Sequence, residues 1–299
     1  MTKKLKAMAA TWAADGALVV IADRDKKPVC VHVKDGNVLD EQPGLAGARR
    51  VAVLGSGAVL MLAENGKGRW LRDGVKKPAH VAGSVWGLRE LTACHGVAYA
   101  GGHDRRLLSF DETAMRWRDC ELAAATARYP VRPTSDLARS IVEGARGPIV
   151  CTSSWDDEHR KSSLCFELLD GAWRLRAKVN GDFEAACRDP VTDMLYLVGA
   201  TVVAIEPSGS TREVVTPRNK LWGCAWLTKT RHGAILASAG GGAVCEVGVD
   251  GSIAEVRSST GESLTHDHCL ASRGDQAALV SAGAVHVFER GTWREQPLG

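Results

Sequence analysis

The chain has 299 residues, of which 45% are hydrophobic and 24% charged, and its formal net charge at pH 7 is +3. That is ample apolar material for a packed core, which excludes a disordered chain. No run approaches the roughly 18 consecutive apolar residues of a membrane span. So small a net charge makes no electrostatic case for nucleic acid or an anionic membrane surface.

The N-terminal stretch carries the positive charge of a signal peptide in Lys3, Lys4 and Lys6. Asp15 and then Asp23, Arg24 and Asp25 break the apolar run that follows, so it reads as a strand region. Residues 58–63 form the next apolar run, ahead of a Trp-bearing run around Trp70. The clearest unit follows. Its apolar run at 85–94 leads through His95-Gly96 to 97–102, then 106–111, then a charged run holding Trp117. These are four short strand-like runs separated by Gly, Asp or charged breaks.

Residues 123–135 read as a connection with at most one helical turn. The following unit has runs at 148–153 and 164–169 and an outer turn at Asp170-Gly171, followed by Trp173. The polar insertion between these runs, from Trp155 to Ser163, reads as a long hairpin loop. Trp222-Gly223 opens a later unit, which passes through 234–240 and 243–247 to Asp250-Gly251. The last unit has runs at 269–272, 277–283 and 284–288 and ends around Trp293.

The turns ahead of the second run in each unit fall at Gly16, Gly57, Gly96, Gly147, Asp193, Gly233 and Asp275. They are spaced by 41, 39, 51, 46, 40 and 42 residues. That period, with four strands per unit, is the one expected of propeller blades. A lone blade cannot bury two apolar faces, but blades closed in a ring can. The chain therefore reads as a single all-β domain over 1–299, a seven-bladed β-propeller of four-stranded antiparallel blades. The approximate blades are 1–44, 45–83, 84–124, 136–180, 181–217, 218–258 and 264–299. The second and fourth units are the least regular, which leaves six or eight blades as alternatives, and a β-sandwich is the ordinary alternative fold. The terminal run at Trp293 can complete its own blade, so closure does not require an N-terminal strand.

The units resemble bacterial β-propeller repeats of the WD-like and photosystem-assembly-factor-like kind. The residues that carry the resemblance are Tyr99-Ala100-Gly101-Gly102 and Asp170-Gly171-Ala172-Trp173. No blade pairs Gly-His with a terminal Trp-Asp, so these are not true WD repeats. The resemblance implies a protein-binding platform, such as a scaffold or a cytoplasmic immunity protein that acts against a secreted bacterial toxin. That implication rests on fold, and fold does not dictate function.

The expected partner-binding residues are the rim tryptophans Trp86, Trp222 and Trp226 and the insertion residues Trp155, Asp156, Asp157, Glu158, His159 and Arg160. Trp70, Trp117, Trp173 and Trp293 repeat at one blade position and are expected to pack between blades. His266 and His268 would share one face of a strand, and with Glu184 from another blade they could hold a metal in the central channel. The plainer reading of the His pair is a polar loop entering a strand. A metal-dependent hydrolase or lactonase is therefore the alternative function. No Gly-x-Ser-x-Gly elbow is present, and Gly240-Gly241-Gly242 lies between strand-like runs as a hairpin turn rather than a phosphate loop. No catalytic residue and no cofactor is assigned. The nine cysteines form no CxxC pair and sit mostly in apolar runs, as buried thiols in a reducing compartment would. The expectation is a cytoplasmic protein, monomeric in isolation, with a protein partner and neither nucleic acid nor membrane.

Overall fold

The computed structural model describes residues 5–81, 88, 90–129, 137–155, 160–228, 233–239, 243–257, 261, 263–264, 270–281, 283–289 and 292–298. Among them the chain forms seven four-stranded antiparallel sheets, each a simple meander of four consecutive strands. Blade 1 is β1 (Lys6–Trp12), β2 (Leu18–Arg24), β3 (Lys27–Lys34) and β4 (Asn37–Pro43). Blade 2 is β5 (Ala48–Val53), β6 (Val59–Ala63), β7 (Gly68–Arg72) and β8 (Val75–Pro78). Blade 3 is β9 (Glu90–Cys94), β10 (Val97–Gly101), β11 (Leu107–Asp111) and β12 (Arg116–Asp119). One helical turn, α1 (Leu122–Ala125), follows it. Blade 4 is β13 (Leu137–Glu143), β14 (Pro148–Trp155), β15 (Lys161–Leu169) and β16 (Ala172–Asn180). Blade 5 is β17 (Phe183–Arg188), β18 (Leu195–Gly199), β19 (Val202–Ile205) and β20 (Thr211–Val215). Blade 6 is β21 (Leu221–Leu227), β22 (Ala234–Ala239), β23 (Val244–Gly248) and β24 (Ile253–Glu255). Blade 7 is β25 (Leu270–Arg273), β26 (Gln276–Ser281), β27 (Ala284–Glu289) and β28 (Thr292–Gln296).

Each of the seven repeat-marking turns stands just ahead of the second strand of a blade, from Gly16 before β2 to Asp275 before β26. The outer hairpins use the turn chemistry that a right-twisted strand pair demands. Asp35-Gly36 has φ values of 49° and 80°, and Asp170-Gly171 has 51° and 78°. Both residues of each turn are left-handed, a conformation that Asp tolerates and Gly adopts freely.

The period of two along a strand divides each blade between its neighbours. In β2, Val19 and Ile21 pack with Val51, Val59 and Met61 of blade 2. Leu18, Val20 and Ala22 pack instead with Ala278, Val280, Val285 and Val287 of blade 7. Seven such apolar clusters sit one between each pair of adjacent blades. The blade 7–blade 1 cluster closes the ring by side-chain packing, because each of those blades is built from its own stretch of chain. The Ala7 amide adds a bond to the Gly283 carbonyl at 2.7 Å.

Two sequence expectations need correction. Trp70 does not share a blade position with Trp117, Trp173 and Trp293. It lies in β7, a third strand, whereas the others lie in the fourth strands β12, β16 and β28. Blade 2's fourth strand is the short, fully exposed β8, so a buried indole there has nowhere to go except the strand inside it. The blade 4 insertion is strand over most of its described residues. β14 and β15 extend into it with Ser154 paired to Ser162 and Trp155 to Lys161, and small Ser residues fill the buried positions of this extension.

Candidate functional site

The first strands β1, β5, β9, β13, β17, β21 and β25 surround a central channel with a cavity of about 740 Å³. All run the same way, so the ring has two unlike faces. The upper face carries the starts of these strands, the hairpins between second and third strands and the connections between blades. The lower face carries the other turns. Hydrogen bonds tie neighbours on each face: Ala138 N to Gly102 O (2.9 Å) above, Gly55 N to Gly96 O (2.8 Å) below.

Among the described residues, five of the first strands carry a β-bulge near the upper mouth. The bulged residues are Met8, Arg49, Arg139, Glu184 and Trp222. A bulge adds one unpaired residue and re-aims its side chain, and bulges are enriched beside functional sites. In blade 3 the described strand pairs without interruption, and Glu90 stands at its upper end.

Side chains from blades 4 to 6 join at this level. Glu184 Oε2 accepts from Arg139 Nη1 at 2.8 Å, and its Oε1 accepts from Lys220 Nζ at 2.5 Å. Lys220 also reaches Asp182 Oδ2 at 2.7 Å, which Lys161 Nζ meets from the blade 4 hairpin at 2.5 Å. Partial burial opposes the charged forms of Asp182 and Lys220. Even so, Lys161 and Lys220 hold the Asp182 carboxyl below its ordinary range, and Asp182 and Glu184 hold the Lys220 ammonium above its own. The Lys220 ammonium lies 4.6 Å from the centroid of the Trp222 ring. Trp222 itself is 54% exposed.

Glu90 is placed differently. Enclosure by the channel wall raises its carboxyl to about 7, against an opposing pull from Arg50 and a hydrogen bond from Thr92. That bond, from Thr92 Oγ1 to Glu90 Oε1, is 3.3 Å long. At the lower mouth, His95 Nε2 lies 2.9 Å from Gly144 O, and the His95 amide donates to Glu143 Oε2 at 2.8 Å. Both contacts staple blade 3 to blade 4, a structural use of the His-Gly turn. Two of the buried thiols are poor nucleophiles: burial pushes Cys245 up to about 11 and Cys30 up to about 12.

No known protein family matches the sequence, and no curated protein matches it. Solved structures do match the fold. Hydrazine synthase of Kuenenia stuttgartiensis superposes with a TM-score of 0.68 at 12% identity, covering 96% of this chain and 96% of that one. A streptogramin B lyase gives 0.62 at 12% identity over 97% of this chain and 93% of its own. The computationally designed protein Ika8 gives 0.60 at 13% identity over 98% and 86%. At these identities the likeness shows a shared propeller fold and carries no activity.

Of the residues singled out in the sequence, Trp222 and Glu184 meet at the upper mouth. Trp226 does not join them. It is 7% exposed and stacks on Tyr196 with ring centroids 5.2 Å apart, so it packs between blades 5 and 6. Arg160 is exposed just beyond the last strand pair of the blade 4 hairpin, and Trp155 ends β14. Trp86, Asp156, Asp157, Glu158, His159, His266 and His268 lie outside the described residues. Glu184 is occupied by two cations, and among the described residues no group of three or more His, Cys, Asp or Glu stands close enough to hold a metal. Among them, too, no helix is long and apolar enough to cross a membrane. Sequence reading missed Arg49, Arg139, Lys220 and Glu90. The bulges that gather the first two are created by strand pairing and leave no mark in residue type.

Proposed function

We propose that this chain is a non-enzymatic binding protein that holds a polypeptide partner across its upper face, with Trp222 as the central anchor. The observation that carries this reading is a bulged tryptophan, 54% exposed, at the channel mouth. Trp presents a large apolar ring and is among the commonest anchors of protein interfaces. Lys220, Asp182 and Glu184 hold its surroundings in place through ion pairs, so the surface is ordered before a partner arrives. The blade 4 hairpin rises beside it through the Lys161–Asp182 pair and adds a second contact region at Arg160. A cytoplasmic scaffold or immunity role agrees with the buried free thiols and with the repeat resemblance.

The test is affinity capture from the native host with the wild-type chain and with Trp222→Ala. A partner recovered stoichiometrically by the wild type and at least about tenfold less by the variant supports the reading. Equal recovery by both overturns it. A second reading, a hydrolase working inside the channel, is favoured by Glu90, whose carboxyl at about 7 suits general acid–base chemistry.

A further inference from the structure

Two of the chain's free thiols meet at the channel wall. Cys187 on β17 and Cys224 on β21 stand on neighbouring blades, and both line the cavity. Their thiols share a hydrogen bond across the boundary between blades 5 and 6. Each is held by a paired strand, Cys187 opposite Tyr196 and Cys224 opposite Ala237. The Ala186 amide beside Cys187 donates to Ser140 Oγ at 3.0 Å, which ties that strand to blade 4 as well. The pair packs in one apolar cluster with Tyr196, Val198 and Ile235, none of which reaches the cavity, so the channel is its open side. No other described thiol lines the cavity. Cys151 and Cys165 are cross-strand partners that share a hydrogen bond too, but they are sealed between blades 4 and 5. Cys245 packs in the same cluster as Cys187 and stops short of the channel.

We infer that Cys187 and Cys224 form a two-coordinate site for a soft closed-shell cation, Cu(I) being the type, entered from the channel. This reading and partner binding at Trp222 do not require each other. Thiolate ligands select soft ions, and two of them satisfy Cu(I), which accepts a linear pair. A structural zinc asks for four ligands, and among the described residues no third His, Cys, Asp or Glu joins the two thiols. Ligands carried on paired strands are held in place before the ion arrives, which favours binding. As each metal–sulfur bond forms, the thiol gives its proton to water, and no oxidant or reductant takes part. Oxidation to a disulfide is the other chemistry open to adjacent thiols, and it starts from a thiolate. Burial and the neighbouring Cys187 thiol hold the Cys224 proton in place, which slows that route. A cation that bonds sulfur strongly displaces the proton directly.

The probe is Cu(I), titrated without oxygen onto the reduced full chain in competition with the chromogenic chelator bicinchoninate. A single ion per chain should resist the chelator, counted by native mass spectrometry. Cys187→Ala and Cys224→Ala should each weaken that ion at least about a hundredfold, because losing a ligand costs more than losing an outer-shell partner. Cys245→Ala, in the same cluster but off the cavity, should leave it unchanged. X-ray absorption of the loaded wild type should show two sulfur ligands and no nitrogen, a result that stands even where a variant fails to fold. Four results overturn the inference. They are no ion held against the chelator, retention indifferent to either cavity variant, an equal loss in Cys245→Ala, and a copper centre with three or more ligands.

Discussion

The Trp173 indole donates its Nε1 hydrogen to the carbonyl of Cys120 at 2.9 Å, reaching one blade back to the residue that leaves β12. Trp117 repeats the contact one blade earlier, donating to Ala79 O at 2.9 Å just past β8. The outer-strand tryptophans are therefore clasps between consecutive blades as well as packing. Replacing either by Phe keeps a ring but abandons a partly buried carbonyl. Each substitution should cost about 1 kcal/mol in denaturant unfolding, and the pair should add, because the sites share no partner. A cost near zero would mean that water satisfies the carbonyl as well as the indole does.

Glu184 is the keystone of the mouth, with a side chain 6% exposed between Arg139 and Lys220. Glu184→Gln removes the charge both cations answer to and leaves them facing each other. Arg139 and Lys220 are 39% and 25% exposed and Lys220 keeps Asp182, so the loss should be about 1 kcal/mol, seen as a lower denaturant midpoint with an unchanged slope.

Glu90 sets a pH dependence of definite sign. Its folded carboxyl titrates at about 7, raised by enclosure above the ordinary value of 4.5. Between those two values the folded state holds a proton that the unfolded state has released. Glu90 thus contributes its full stability below the unfolded value and loses it as pH climbs toward and through 7. Glu90→Gln should match the wild type at pH 4 and exceed it at pH 8 in thermal unfolding. Parallel curves for the two proteins at all pH values would show that the fold does not raise the Glu90 carboxyl.

Two glycines should respond differently to alanine. A Cβ at Gly199 would lie 2.0 Å from the Asp182 carbonyl oxygen, so the start of β17 must shift, at a cost of about 2 kcal/mol or more. Gly36 has φ of +80° with nothing within 4 Å of a new Cβ, so it pays only the left-handed backbone term of about 1 kcal/mol. Unfolding free energies of the two variants in one denaturant give the comparison directly.

The sequence by itself determined that the chain repeats as four-stranded blades and where each turns, while the count of seven was settled by the sheets. Aspartate and glycine can take the left-handed conformations of tight hairpins, and they recur at the spacing of a four-stranded blade, as from Gly57 to Gly96. It grouped Trp70 with Trp117, Trp173 and Trp293, since each follows a charged or glycine-marked turn, and only the fold moved Trp70 to a third strand. The burial of Trp226 and the exposure of Trp222, four residues apart on β21, were decided by the fold. Between Leu221 and Gly223 the strand slips by one residue against β22, and that slip turns Trp222 outward. Arg49, Arg139 and Glu184 meet the channel for the same reason, which depends on a partner strand and not on the residues themselves. A net charge of +3 reads as nearly neutral along the chain. Only the meander, which sends alternate turns to opposite faces, gathers Asp35, Asp73, Asp170 and Asp193 on one of them.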